Sequence, residues 1–214
     1  SGAGCADPMM NRRDRILVIV LAGSPVVLMP LTQVLALSSW GSVGWLWLVL
    51  PPCGTVALMA AAAIPTGLGM LVFRARRLQG LATLALAILA LGAVVLGASV
   101  GERVRMAAFR RVAERSAPLV AAIHQYAVDH GAAPAKLAYL VPRHLPALPV
   151  TGLGAYPDYS YEVASKRVLR ADNPWMISIP APEGLLNWDE FIYLPRQNYP
   201  RMGFGGWLQR IGDW

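Results

Sequence analysis

Residues 78–100 read LQGLATLALAILALGAVVLGASV, and residues 101–130 continue as GERVRMAAFRRVAERSAPLVAAIHQYAVDH. The first stretch has no charged residue and is long enough to cross a bilayer as a helix. In the second stretch, the residues of one helix face recur every three or four positions: Phe109, Val112, Ser116, Leu119, Ile123, Tyr126 and His130. If Pro118 only kinks the chain, the two stretches form one helix of about 50 residues. The alternative is that Pro118 begins a second helix, capped by Ser116.

Two further charge-free runs precede this one, at residues 16–37 and 45–73. Each is long enough to span a membrane, and the second is long enough to tilt or to kink at Pro51-Pro52. We therefore predict a transmembrane domain of three helices within residues 9–100. Ser1–Pro8 differs in composition from the neighbouring apolar run and is interpreted as a leader foreign to the protein. The alternative is an N-terminus lipidated at Cys5 after signal cleavage.

The arginines around these runs predict their orientation. The N-terminus and residues 74–77 carry every arginine of the first hundred residues, whereas the linker Ser38–Gly44 has no charge. Because short basic loops stay in the cytoplasm, the linker and residues 101–214 are expected outside. We thus predict a protein of the bacterial inner membrane, with a cytoplasmic N-terminus and a periplasmic C-terminal domain.

The net charge of +7 is unevenly distributed along the chain. Residues 101–115 hold five arginines and two glutamates, giving +3, whereas residues 116–214 hold eight basic and eight acidic residues. A nucleic-acid-binding domain would carry its basic residues on the folded module. The distribution instead indicates membrane lipid as a partner and predicts no nucleic-acid binding.

Residues 101–214 are predicted to form an α+β domain, in which the long helix packs on a small antiparallel sheet. A short helix is expected over residues 134–142. Four strands are expected, at residues 159–163, 168–170, 175–179 and 188–194, with a turn at 165–167.

The segment AIHQYAVDHG (122–131), followed by Pro134, Leu137, Leu140, Val141-Pro142 and Leu145-Pro146, resembles type IV pilins and type II secretion pseudopilins. The resemblance covers roughly residues 101–180. It implies a long helix followed by a loop and a small antiparallel sheet. A pilin has a single span with an early Glu, whereas three spans precede this domain and residues 78–100 contain no Glu. The resemblance therefore implies a pilin-like fold used as a membrane-tethered extracytoplasmic domain.

No catalytic, cofactor-binding or metal site is predicted from the sequence. His124 and His130 fall on different helix faces, and the vicinal pair Asp189-Glu190 would point to opposite faces of a strand. Scattered carboxylates leave calcium binding open as an alternative. The glycine-rich aromatic tail supplies the candidate partner-binding residues: Tyr199, Phe204, Trp207 and Trp214. Trp207 and Trp214 are expected to cover the core, with partner contact and small-ligand binding as the alternatives.

These features favour a non-enzymatic accessory or scaffold subunit that binds a protein partner in the inner membrane or periplasm. One alternative is an immunity or protective protein against an envelope-acting toxin. Another is a membrane enzyme that acts on lipid or envelope substrates.

Overall fold

The computed structural model describes residues 11–163, 173–181, 189–200, 202–203 and 206–214. The chain divides into two compact units. The first comprises the described residues up to Thr32 together with Leu48–Glu102. The second comprises Gln33–Trp47 and the described residues from Arg103 to Trp214. The predicted leader, Ser1–Pro8, lies outside the described residues.

The first predicted span is two helices rather than one. Helix α1 (Arg12–Gly23) and helix α2 (Pro25–Leu37) meet at a bend of 45°. Pro25 has no backbone N–H and its ring crowds the preceding turn, so a proline at this position breaks the helix. The hydroxyl of Ser24 donates a hydrogen bond of 2.8 Å to the carbonyl of Leu21 at the break.

The second predicted span is a pair of consecutive helices, α3 (Gly44–Leu48) and α4 (Leu50–Val72). Pro51 and Pro52 occupy the first turn of α4. Prolines are tolerated there because the first backbone N–H groups of a helix have no intrahelical partner. A single 3₁₀ turn at Arg74–Arg76 follows.

Helix α5 (Arg77–His130) runs for 54 residues and contains Pro118 in its interior. The alternative of a second helix starting at Pro118 is therefore wrong. Ser116 donates its hydroxyl to the carbonyl of Ala113 at 2.8 Å instead of capping a helix. Gly131 ends the helix with a φ of 74°, a left-handed conformation that glycine adopts without a Cβ penalty.

Two helical segments of the described chain are long and apolar enough to cross a membrane, Gly44–Val72 and Arg74–His130. The bent pair α1 and α2 makes a third when it is counted as one span. Three apolar segments were predicted, and the third is the first part of the helix that continues into the C-terminal unit.

The C-terminal unit contains a three-stranded antiparallel sheet in the order β1 (Ser160–Val163), β2 (Trp175–Pro180) and β3 (Glu190–Tyr193). These strands confirm three of the four predicted. The fourth predicted strand, at 168–170, and the turn before it lie outside the described residues. The predicted short helix is a 3₁₀ turn, Leu137–Leu140. A two-stranded ladder that the sequence did not predict joins β4 (Met202–Gly203) to β5 (Gly206–Trp207).

The apolar face of α5 packs on this sheet, as predicted. Four side chains of the face are at most 2% exposed: Phe109, Val112, Leu119 and Ile123. They share one core with Ile177 and Ile179, which are fully buried in the central strand. Removing such side chains from water is the main stabilising contribution in a small domain. Tyr126 is only half-buried and His130 is exposed, so the buried part of the predicted face ends at Ile123.

Candidate functional site

Within the C-terminal unit, the linker Ser38–Gly44 is joined to the loop at residues 151–156. The backbone N–H of Gly154 donates to the carbonyl of Ser38 at 2.7 Å. The N–H of Ala155 donates to the carbonyl of Ala36 at 3.1 Å. We call the four hydrogen-bonded residues Ala36, Ser38, Gly154 and Ala155 the linker junction. They connect two segments that are more than a hundred residues apart in the sequence.

Two glycines make the linker junction possible. A Cβ on Gly154 would overlap the backbone nitrogen and oxygen of Gly41 and would lie 2.7 Å from the carbonyl oxygen of Ser38. A Cβ on Gly41 would overlap the carbonyl oxygens of Leu35 and Ala36. Only glycine allows backbone to approach backbone this closely.

The segment around the linker is also part of the core of the C-terminal unit. Ala36 is fully buried, and Leu37 and Leu46 are less than 10% exposed. All three belong to the cluster that contains Phe109 and Tyr156, whose rings stack with centroids 6.2 Å apart. The linker junction is therefore held by apolar burial as well as by hydrogen bonds.

The loop of the junction is fixed by Thr151 and Arg115. The fully buried Thr151 donates its hydroxyl to the carbonyl of Tyr156 at 2.6 Å and accepts from the N–H of Leu153 at 3.1 Å. A guanidinium N–H of Arg115 donates to the carbonyl of Thr151 at 3.0 Å. Burial raises the pKa of the nearby Tyr159 hydroxyl to about 12, although the charge of Arg115 opposes that shift.

Arg105 forms a second set of hydrogen bonds, which connects helix α5 to the sheet. Its side chain is 4% exposed. It donates to the carboxylate of Asp189 at 3.0 Å and to the carbonyl of Ala181 at 2.6 Å. The guanidinium also lies over the ring of Phe109, 5.5 Å from its centroid. Charged hydrogen bonds of this kind are about twice as strong as neutral ones. Through them, Arg105 connects α5 to Ala181 and Asp189, the two ends of the segment between β2 and β3.

Of the four predicted partner-binding residues, Trp214 is buried in the domain core. It is 5% exposed and stacks on Phe191 with ring centroids 4.6 Å apart and an interplanar angle of 7°. Its ring also lies 5.5 Å from that of Tyr193. Large aromatic side chains in such an arrangement contribute strongly to a core.

The hydroxyl of Tyr199 links the tail to the third strand. It accepts from the N–H of Leu194 at 2.9 Å and lies 2.6 Å from the carbonyl of Asp213, to which it donates. Burial raises its pKa to about 12. Phe204 lies outside the described residues, and the backbone of Trp207 forms part of β5. Partner binding by these four residues stays a prediction.

The structure brings two histidines together at the end of α5, which the sequence did not predict. His130 stacks on Tyr126, with ring centroids 4.0 Å apart. The ring of His144 lies 6.1 Å from that of His130, and its Nδ1 is 3.9 Å from a carboxylate oxygen of Asp129. His124 lies elsewhere on the helix, edge-on to Trp175. Within the described part of the chain, no group of three His, Cys, Asp or Glu residues is placed to hold a metal ion.

The sequence predicted neither the hydrogen bonds of Arg105 nor the linker junction. Arg105 lies four residues before Phe109 and continues the same helix face, so the spacing already marked it as buried. No spacing or residue pattern in the sequence indicates the linker junction. Gly41 and Gly154 resemble any other loop glycines until the two segments are placed side by side.

The chain matches no protein-family model, no curated protein and no solved structure. Its function is therefore inferred from the contacts within the fold.

Proposed function

We propose that this protein is a non-enzymatic, membrane-anchored accessory or scaffold subunit whose C-terminal domain binds a protein partner. We place it in the bacterial inner membrane, with the N-terminus in the cytoplasm and the C-terminal domain in the periplasm. We further propose that this domain is pilin-like. A long helix that ends at Gly131 and packs on a small antiparallel sheet is consistent with that resemblance.

The surface of the apolar helices supports the membrane anchor. Large apolar side chains on α4 and on the first part of α5 are exposed by half or more, among them Leu58, Met59, Ile88 and Leu89. An apolar surface of this extent is unfavourable in water, whereas lipid covers it without penalty. Most backbone polar groups of a helix are paired within the helix itself, which lowers the cost of placing it in a bilayer.

The observation that carries the proposed membrane arrangement is the linker junction. Two apolar helical segments, α4 and the first part of α5, separate Ser38 from Gly154 along the chain. If each crosses the bilayer once, the chain returns to the side from which it left. The hydrogen bonds between the linker and the 151–156 loop require that both lie on one side of the membrane. Two crossings satisfy that requirement.

The charge pattern supports the outward direction of that side. Arg74, Arg76 and Arg77 lie between the two crossings, and the linker on the opposite side is uncharged. The positive-inside rule then gives a cytoplasmic basic loop and a periplasmic linker. The basic residues that follow Val100 do not oppose this, because long domains are translocated largely regardless of their charge.

Lysine placement offers a direct test for a partner. The chain has two lysines, Lys136 and Lys166, and both lie in the C-terminal domain. With the α-amino group in the cytoplasm, as proposed, a membrane-impermeant amine crosslinker applied to cells with a permeabilised outer membrane reaches this protein only through that domain. We expect one specific protein to be crosslinked and to copurify stoichiometrically in mild detergent.

The variant Lys136→Gln supplies the control, since Lys136 is exposed and its substitution should leave the fold unchanged. Copurification without crosslinker should be equal for this variant and the wild type, whereas the crosslinked yield should fall. Recovery of the wild-type protein alone, with neither a crosslinked nor a copurified partner, would contradict the scaffold function.

A further inference from the structure

The arginines just beyond the third apolar segment fall into two groups. Arg105 and Arg115 donate hydrogen bonds within the C-terminal unit, to Asp189 and to the carbonyl of Thr151, although only Arg105 is buried. Arg103, Arg110 and Arg111 are exposed, and none of the three forms a hydrogen bond or ion pair with the residues that the structure describes. We call these three residues the basic face.

The basic face lies on the side of α5 that is turned away from the sheet. Arg103 and Arg110 are seven residues apart, which is about two helical turns, so they share one face. The buried residues Arg105 and Phe109 lie on the other face. Glu114 is exposed on the same side as Arg110 but lies one turn further from the apolar segment.

The helical rise relates the basic face to the bilayer surface. Val100 is the last residue of the charge-free run, so Arg103 follows it by about 5 Å and Arg110 by about 15 Å. The headgroup layer on each side of a bilayer is roughly 5–8 Å thick. Arg103 therefore falls within that layer. Arg110 and Arg111 lie just beyond it, where long side chains reach back and electrostatic attraction is still felt over about 8–10 Å.

We infer that the basic face binds the phosphate groups of anionic phospholipids in the leaflet nearest the C-terminal domain. This inference rests on the proposed membrane anchorage. A guanidinium group matches a phosphate with two parallel hydrogen bonds, so arginine suits this ligand better than lysine does. Trp40 in the linker is 67% exposed, and exposed tryptophans are typical of the bilayer interface.

The expected strength follows from the number of arginines. Each basic residue near an anionic surface strengthens the interaction about fivefold. Three residues together should therefore raise the affinity for an anionic over a zwitterionic phospholipid by about a hundredfold. Salt should weaken this preference, because exposed charges are screened.

The test is a titration of the delipidated full-length protein in mild detergent with phosphatidylglycerol or phosphatidylcholine, followed by native mass spectrometry of the bound lipid. The wild type should prefer phosphatidylglycerol. The variant R103Q/R110Q/R111Q should bind it about a hundredfold more weakly, and R103K/R110K/R111K should fall between this variant and the wild type, because lysine keeps the charge but not the paired hydrogen bonds.

A matched control removes the same charge elsewhere on the domain. The exposed residues Lys136, Arg143 and Arg196 lie outside the basic face. The variant K136Q/R143Q/R196Q should bind phosphatidylglycerol as the wild type does. The inference is overturned if this control loses as much affinity as R103Q/R110Q/R111Q, or if the latter binds like the wild type.

Incorporation into nanodiscs separates this inference from the proposed function. All variants should enter nanodiscs of phosphatidylcholine, because the apolar helices are unchanged. A wild-type protein that stays out of nanodiscs would contradict the membrane anchorage and, with it, the lipid site. Normal incorporation without a preference for phosphatidylglycerol would contradict the lipid site alone.

Discussion

Substitution of Gly154 by alanine should open the linker junction. The added Cβ would overlap the backbone of Gly41 and lie 2.7 Å from the carbonyl oxygen of Ser38. None of these atoms belongs to a flexible side chain, so the two segments must separate. Separation breaks the hydrogen bonds donated by Gly154 and Ala155.

The size of the effect follows from these losses. Each backbone hydrogen bond contributes about 0.5–1.5 kcal/mol net, and forcing an extra carbon into a packed site costs about 1–3 kcal/mol. We expect the junction to be destabilised by about 3 kcal/mol, which is roughly a 150-fold increase in its opening equilibrium.

Hydrogen exchange measured by mass spectrometry on the protein in nanodiscs resolves this opening. In the Gly154→Ala variant, residues 36–47 and 150–157 should exchange roughly 150-fold faster, whereas the sheet should exchange at the wild-type rate. Gly92→Ala is the matched control. A Cβ there meets nothing within 4 Å, and alanine favours a helix interior by about 0.5–1 kcal/mol. Unchanged exchange of residues 36–47 in Gly154→Ala would refute the linker junction.

Three further predictions concern the C-terminal domain. Trp214→Ala removes the ring stacked on Phe191 and should lower the free energy of unfolding by about 3–5 kcal/mol, measured by thermal or denaturant unfolding. Arg105→Met removes two charge-assisted hydrogen bonds, including that to Asp189, and should cost about 2 kcal/mol in the same assay. Burial raises the pKa of three tyrosines, Tyr159, Tyr161 and Tyr199, from 10.0 to about 12. Because the unfolded chain loses these protons at a lower pH than the folded chain, the free energy of unfolding should fall as the pH rises from 10 to 12.

Exposed residues provide the controls for these predictions. Tyr139→Ala and Arg143→Met should change the unfolding free energy by less than about 0.5 kcal/mol. A loss in either control equal to that of its buried counterpart would contradict the assignment of the core.

For the pH prediction, tyrosinate absorbance should show a late group of ionisations that shrinks in the Tyr199→Phe variant. Ionisation of all seven tyrosines in a single step near pH 10 would contradict the burial of those hydroxyls.

The helices of this protein could be predicted because their signals are local. A long charge-free run and a recurrence every three or four residues were sufficient to place α5 on the sheet, and three strands followed from their alternation. The position of Pro118 left two possibilities because a proline weakens a helix without always ending it. Ser116 and Leu119, within two residues of Pro118, are both fully buried, and their packing favours a continuous helix.

The contacts that support the proposed function are not local and could not be predicted in the same way. The hydrogen bonds between Ser38 and Gly154 depend on backbone atoms, which every residue carries, so no residue type indicates them. By sequence, Arg105 is one of five arginines within residues 101–115. Its spacing from Phe109 indicates burial, but its partner Asp189 lies 84 positions away, so only the folded chain identifies that contact.

The most direct test of the membrane arrangement is cysteine labelling in intact cells. Single cysteines at Ser42 in the linker, at Asp158 in the C-terminal domain and at Arg76 between the two crossings are introduced after Cys5 and Cys53 have been replaced. All three positions are exposed. With an impermeant maleimide and a permeabilised outer membrane, Ser42→Cys and Asp158→Cys should react, and Arg76→Cys should react only after the inner membrane is disrupted. Labelling of Arg76→Cys while the inner membrane is intact, or a different result for Ser42→Cys than for Asp158→Cys, would contradict the account.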